Sequence, residues 1–319
     1  MVMSRNLITG GLGYVGSNLA RHLLKRDEEV VIFDRSSDSG SIGDIRGDVE
    51  IVQGELGNLS QVLNVVAAGK IEYIYHLGAM ISMPAEANPW AAYDTNANGT
   101  YHVLEAARLF DVRGVVFPSG IATYGRGSPK VVSQDVFQSN PSQMYAATKI
   151  FGERLGEYYH HRFGVNFRCP SFPAFCGPGR REGLAAYASM MVHDPAMGRP
   201  CRLPIDEGGQ LPFIYVKDVV RCLSLLKDVG EDRLHRRVYS VQGFSMPARE
   251  MADTVRKHIP GAQIEFLADE TVVRLVRDMP KEVDDTWARE DWGWVPEYDW
   301  DRTVQDFITE IKSHPELYE

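Results

Sequence analysis

Through the first half of the chain, short unbroken apolar runs recur at residues 6–9 (NLIT), 30–34 (VVIFD), 71–79 (IEYIYHLGA) and 114–119 (GVVFPS). Between them apolar positions return every three or four residues, the repeat of a helix with one buried face. Strands alternating with such helices predict an α/β fold of the Rossmann type, a doubly wound parallel sheet with helices on both faces. Residues 96–110 (NANGTYHVLEAARLF) are expected to form one amphipathic crossover helix and residues 143–163 another. From Arg168 the pattern changes: Pro and Gly cluster in RCPSFPAFCGPGRREG, and further prolines stand at 195, 200, 204 and 212. A smaller, loop-rich lobe is expected to begin there. Residues 213–227 (FIYVKDVVRCLSLLK) read as a strand and helix returning to the first lobe, and the tail from Phe244 adds helices around MPAREMADTVRKHI and WDRTVQDFITEI. The expected division is a first lobe of residues 1–172, with 212–243 returning to it, and a smaller, discontinuous C-terminal substrate lobe of 173–211 and 244–319.

With 319 residues, 44% of them hydrophobic, the chain can bury a full core. The net charge of -9, with no block of like charges, argues against a nucleic-acid partner, because counterion release needs clustered Lys and Arg. Cys169, Cys176, Cys201 and Cys222 form no C-x-x-C pair, and His160–His161 has no nearby thiol, so neither a disulfide framework nor a metal site is expected. No apolar run has the length of a membrane span or signal peptide, and a cytoplasmic location is expected.

Residues 9–16 read TGGLGYVG, directly after a strand and before the helix SNLARHLLKR. Gly10, Gly13 and Gly16 suit a tight turn, backbone approach to a pyrophosphate and close helix–sheet packing, with the phosphates on free N–H groups around Tyr14 and Val15. Asp34 closes the second strand, where a carboxylate accepts both ribose hydroxyls of NAD and repels the 2'-phosphate of NADP. NAD is the expected cofactor, and Arg35 next door is the residue that works against that choice. Tyr145 and Lys149 lie four apart in MYAATKIFGERL, on one face of a helix. A phenol serves as base near neutrality only if its pKa falls from about 10, and an adjacent ammonium together with a positive nicotinamide ring lowers it.

Taken with GEL (54–56), HLGA (76–79), NANGT (96–100), VVFPS, YAATK, FIYVKD and AREDWGWVPEYD, these motifs make the chain similar to the extended short-chain dehydrogenases/reductases, the NAD-dependent epimerase/dehydratase family, over nearly its whole length. That resemblance implies an NAD-bound Rossmann-type domain, Tyr145 as acid/base and Lys149 holding the ribose and tuning Tyr145. It also implies Glu55 and Leu56 by the adenine, Leu77, Gly78 and Ala79 along the dinucleotide, and Asn96 supporting the sheet edge near the nicotinamide ribose. Ser119 and Pro173 complete the implied cofactor set. The helices of residues 96–110 and 145–163 resemble the pair through which the family dimerises, which implies a homodimer.

Two departures separate the chain from the nucleotide-sugar members: Ala174 stands where they carry Asn, and Leu211–Pro212 where they carry an Arg that grips the diphosphate. Without that guanidinium, charge-assisted bonds worth roughly 1.5–3 kcal/mol each are missing. The second half resembles the epimerase-like L-threonine 3-dehydrogenases, in which a Ser matching Ser82 touches the substrate. Met279 replaces a Trp of that group, and Gly120 replaces its catalytic Ser or Thr. Losing that donor can cost roughly 10²–10³ in rate. Thr123 is the better candidate to replace it, since Ser119, one position away on the strand, points elsewhere; a polar group or water brought by the substrate, lost catalysis, and a plain packing or turn role for both residues are the alternatives. Arg180 is a candidate for a substrate carboxylate, with solvated loop charge as the plainer account. The Trp set at 287, 292, 294 and 300 reads as lobe packing.

The expected activity is NAD-dependent hydride transfer at a hydroxyl-bearing carbon of a small polar metabolite, a hydroxy acid or threonine-like molecule. A nucleotide-sugar 4-epimerase and a non-catalytic NAD-binding regulatory protein are the alternatives.

Overall fold

A computed structural model describes residues 4–138 and 140–318. The first six strands are β1 (Arg5–Thr9), β2 (Glu29–Asp34), β3 (Glu50–Gln53), β4 (Tyr73–His76), β5 (Gly114–Val116) and the two-residue β6 (Ser119–Gly120). After the short β7 (Val131–Val132) come β8 (Phe167–Phe172), β9 (Ala174–Cys176), β10 (Cys201–Leu203) and β11 (Gln210–Tyr215). The last four are β12 (Val238–Ser240), β13 (Phe244–Pro247), β14 (Ile264–Phe266) and β15 (Glu282–Val283). The main sheet runs β12-β8-β5-β4-β1-β2-β3 with β6 beside β8, and every pairing in it is parallel. This is the doubly wound parallel sheet expected from the apolar runs, and the structure supplies its strand order.

Side-chain alternation along the strands separates two cores. On β1, Leu7 joins the layer beneath α2 (Leu59–Gly69), α5 (Gly99–Leu109) and α6 (Met144–Phe163), while Ile8 joins the layer beneath α1 (Tyr14–Leu24) and α8 (Val216–Asp228). The smaller lobe has its own three-stranded sheet, β13-β11-β9, and its own core under α7 (Tyr187–Ala196), α9 (Ala248–His258) and α12 (Trp300–Ser313), with α10 (Glu270–Asp278) and α11 (Thr286–Trp292) between the last two in the chain. Residues 210–215 therefore pair within the small sheet, and the chain rejoins the main one only at α8 and β12. On β11, Phe213 and Tyr215 point into the small-lobe core while Ile214 points into the α1/α8 core. Trp292 and Trp294 are buried in the α1/α8 core and Trp300 in the small-lobe core, which makes them packing residues rather than a sugar platform.

The helix expected from Asn96 starts earlier. It is entered through α3 (Ser82–Ala87) and α4 (Pro89–Ala92) and passes through a π-helical turn, Tyr93–Asn98, before α5. An inserted residue of this kind rotates the side chains that follow, and such turns concentrate at functional sites. Among the described residues no helix is long and apolar enough to cross a membrane.

Candidate functional site

At the C-terminal ends of β1 to β4 a cavity of about 250 Å³ opens, lined by Gly10, Asp34, Arg35, Leu56, Gly78 and Ala79. Gly10 has a left-handed φ of +68°, and a Cβ there would stand 2.6 Å from Gly78 Cα, so only glycine lets the two loops touch. Gly16 packs as tightly, its missing Cβ directed 2.4 Å from Gly10 O. Gly13 is the N-cap of α1 and offers no side chain, and no acidic residue occupies the first turn. The opening N–H groups around Tyr14 and Val15 are thus left for an anion. Asp34 accepts from Leu12 N–H at 3.1 Å and from Ser36 N–H at 3.0 Å, which fixes the carboxylate beside the loop while lone pairs remain for a ribose. Arg35, exposed, shares the cavity wall. Gly54 and Leu56 line it, whereas Glu55 between them is directed to solvent, its N–H donating to Gln61 Oε1. Leu77 packs against the α1/α8 core. Phe33, Met80, Ile81, Pro84 and Thr95 also line the cavity. Sequence reasoning missed them because a strand aromatic, three apolar residues after β4 and a single threonine carry no motif.

Tyr145 and Lys149 sit one turn apart at the start of α6, whose first N–H, that of Met144, donates to Glu86 Oε1 from α3 at 2.6 Å. Gly152 on the same face lets the helix lie on Phe117, since a Cβ there would meet the ring at 2.5 Å. Lys149 is buried; its Nζ donates to Pro118 O at 2.7 Å and lies 4.2 Å from the Phe117 ring centre and 5.7 Å from that of Tyr145. Burial lowers its pKa to about 8. Burial also raises the Tyr145 phenol to about 12, and the Arg180 guanidinium acts in the opposite direction. The phenol is therefore not acidic in the protein alone, without the nicotinamide charge on which the expected lowering also depends.

Asn96, turned inward by the π-helical segment, accepts from Met80 N–H at 2.8 Å, donates to Met80 O at 2.9 Å and donates to Thr148 Oγ1 at 3.0 Å. One amide thereby fixes the cavity wall to the helix of the Tyr–Lys pair. Beneath it His76 bridges Thr9 Oγ1 at 2.8 Å and Thr100 Oγ1 at 3.1 Å, and burial, reinforced by Lys149, drives its pKa down to about 3. No sequence spacing pointed to it.

Thr123 requires a correction. Its side chain is fully buried, its Oγ1 donates to Gly120 O at 3.0 Å and accepts from Gln138 Nε2 at 3.0 Å, so the hydroxyl is engaged both by its own turn and by the Gln138 amide. It does not replace the missing donor. Ser119 is buried as well, with its Oγ beside the Glu153 carboxyl of α6 and no well-formed hydrogen bond. Gly120 has an extended φ of −173°, and a Cβ there would meet only Phe172 O, at 3.2 Å. Pro173 is buried in the break between β8 and β9. Ser82 opens α3, and its side chain lies outside the described residues. Arg180 is partly buried with its Nε enclosed and unpartnered, and its charge reaches Tyr145, Tyr14 and Cys176. The Tyr14 phenol is buried without a partner against Gly177.

The glycine contact, the uncapped helix and the placed carboxylate fit a dinucleotide, with Tyr145 and Lys149 on the helix that Asn96 ties to the same wall. Together they define a nicotinamide-dependent enzyme built on a doubly wound sheet. Residues 6–241 match the NAD dependent epimerase/dehydratase family, and the chain belongs to that family, as an enzyme that uses NAD. It is 29% identical to the mitochondrial L-threonine 3-dehydrogenase of Sus scrofa over 97% of this chain and 83% of that one. The solved L-threonine dehydrogenase of Clostridium difficile superposes with a TM-score of 0.91 at 28% identity, covering 99% of both chains. A structure described as a monomeric L-threonine 3-dehydrogenase from a metagenome database gives 0.87 at 25% identity, covering 97% of this chain and 99% of that one.

Proposed function

We propose that the protein oxidises a hydroxyl-bearing carbon of a small, carboxylate-bearing metabolite, a hydroxy acid or threonine-like molecule. The observation that carries this reading is the buried Lys149 ammonium, fixed on Pro118 O one turn from Tyr145, on the helix that Asn96 ties through Thr148 to the Met80 wall of the glycine-lined cavity. When bound, NAD supplies the hydride acceptor. Tyr145 Oη takes the substrate's hydroxyl proton, and Lys149 provides the positive charge that favours the phenolate. Asp34 and the N-terminal turn of α1 hold the ribose and phosphates, and Asn96 keeps the wall in register with α6. Arg180, with an unpartnered buried Nε and a charge felt at Tyr145, suits a substrate carboxylate, since a guanidinium grips one bidentately. The lack of a hydroxyl at Gly120 leaves Tyr145 as the single phenol or hydroxyl donor assigned to the reacting oxygen.

We also infer a homodimer, supported by the exposed Tyr101 and Leu109 of α5 and Phe151, Tyr158 and Phe163 of α6, which form neighbouring apolar faces. A reducing, cytoplasmic setting suits the four buried free cysteines. The test is a panel of L-threonine, small hydroxy acids and aldonates with NAD, followed by NADH absorbance, with Tyr145→Phe in parallel. Turnover by the wild type alone supports the reading; equal turnover by both proteins removes it.

A further inference from the structure

The face of α6 that carries Tyr145 and Lys149 carries a third polar group. Glu153 follows Lys149 by one turn, as Lys149 follows Tyr145, and its side chain is 0% exposed. Its Oε2 accepts from Gln138 Nε2 at 2.9 Å and lies 3.6 Å from Arg154 Nη2. Its Oε1 is buried with no well-formed hydrogen bond, the Ser119 hydroxyl being the polar group beside it. A carboxyl with one unsatisfied oxygen is expensive to bury, and an aliphatic side chain would fill the same place without that cost.

Lys149, one turn away, is the complementary case. Its ammonium has the Pro118 carbonyl and the Phe117 ring, and among the described residues no carboxylate lies within 4.0 Å of it. Burial alone pushes such an amine toward its neutral form. The titratable groups facing it are His76 from β4, Cys169 from β8, and Tyr145 and Glu153 from its own helix. Burial keeps His76, Cys169 and Tyr145 neutral around pH 7, so Glu153 is the one neighbour that can carry negative charge.

We propose that Glu153 is a positioning residue that acts through Lys149: its carboxylate, clamped by Gln138 and Arg154 one turn behind the ammonium, keeps the lysine charged inside the dry site. The proposal rests on the oxidoreductase reading above and adds to it the group that maintains the cation. Facing Glu153 are Lys149, Arg154 and Glu157 of α6, Ser119 of β6, Tyr124 of the following loop and Cys169 of β8. Burial raises the Glu153 carboxyl, while Ser119, Gln138 and Arg154 pull it back. The same Gln138 amide bonds Thr123, which in turn bonds Gly120 O, so the clamp also braces the turn from Gly120 to Thr123.

The test reads Lys149 itself. Full-length protein with ¹³C-labelled lysine, with and without NAD, is titrated by NMR, and the Lys149 signal is assigned by its loss in Lys149→Met. The wild-type midpoint is expected near 8. In Glu153→Gln it should fall by about one unit, a tenfold change in the lysine's proton affinity, while Glu153→Asp, which keeps the charge, should stay within about 0.3 of wild type. An unchanged midpoint in the Gln variant, or an Asp variant displaced as far as the Gln variant, overturns the proposal. Should the Gln variant not fold, the ¹³C-labelled Glu153 carboxyl of the wild type decides: it must be ionised wherever Lys149 is charged above pH 7, and a carboxyl still protonated there overturns the idea. Because the readout is a resonance, it stands whether or not any alcohol in the panel is turned over, and the two proposals fail separately.

Discussion

Asn96 and Thr148 are joined by a 3.0 Å hydrogen bond that ties the cavity wall to α6 one residue before Lys149. Thr148 in turn donates to Tyr145 O at 2.9 Å, so the side chain of one residue reaches the backbone of the proposed base in two steps. Replacing Asn96 by Leu strands both polar groups of Met80. A stability loss of about 1–3 kcal/mol is expected, with NAD binding weakened because Met80 lines the cavity. Denaturant unfolding and calorimetric titration with NAD check both halves.

Tyr145→Phe should leave NAD affinity nearly intact and lower turnover by roughly 10²–10⁴. In the wild type, oxidation needs the phenol without its proton, so the rate should rise with pH while the phenol is mostly protonated. It should fall again once Lys149, near 8 in the protein alone, loses its charge. A profile of kcat/KM against pH that lacks the rising limb would count against the assignment.

Gly120→Ser suits the extended backbone there, and its new Cβ has a single close neighbour, Phe172 O at 3.2 Å, which must give by a few tenths of an ångström. Stability should change by about 1 kcal/mol or less. If the native site lacks a second donor, as the engaged Thr123 hydroxyl indicates, turnover should rise by roughly tenfold or more. Steady-state kinetics on the best substrate of the panel measures it, and a loss of activity would mean that substrate already fills the space.

Asp34→Asn keeps the shape of the side chain and removes its charge. Loss of a charged acceptor should weaken NAD by roughly 1.5–3 kcal/mol. NADP should suffer less, since Arg35 remains in the same wall. Dissociation constants for both nucleotides, compared before and after, give the answer.

His76 makes stability depend on acidity. Its folded pKa of about 3 lies below its ordinary 6.5, so the unfolded chain binds the extra proton first. Stability from this group is complete above pH 6.5 and is lost as pH falls toward 3, on the order of 4 kcal/mol at the low end. Urea unfolding of wild type and His76→Gln across that window should show a steeper decline in the wild type.

What could be read from the chain was local. The glycine loop, Asp34 and the Tyr145/Lys149 pair are short spacings whose geometry one turn or one strand end imposes. The roles of Thr123, Gln138 and Glu153 depend on which distant loop folds back to meet them, and nothing near position 123 announces that its hydroxyl is claimed from position 138. Asn96 was marked by its motif, but the inward turn that gives it three bonds comes from a π-helical insertion invisible to a 3.6-residue repeat. Arg35 and Glu55 had opposite fates: both flank expected cofactor residues, and only the arginine faces the cavity.

Because Phe213 and Tyr215 complete one hydrophobic interior and Ile214 another, a six-residue ribbon serves as the keystone of both. Neither half can finish folding until the ribosome has delivered it. Fragments cut upstream of position 210 should emerge as sticky, unfinished pieces rather than as a free-standing nucleotide binder.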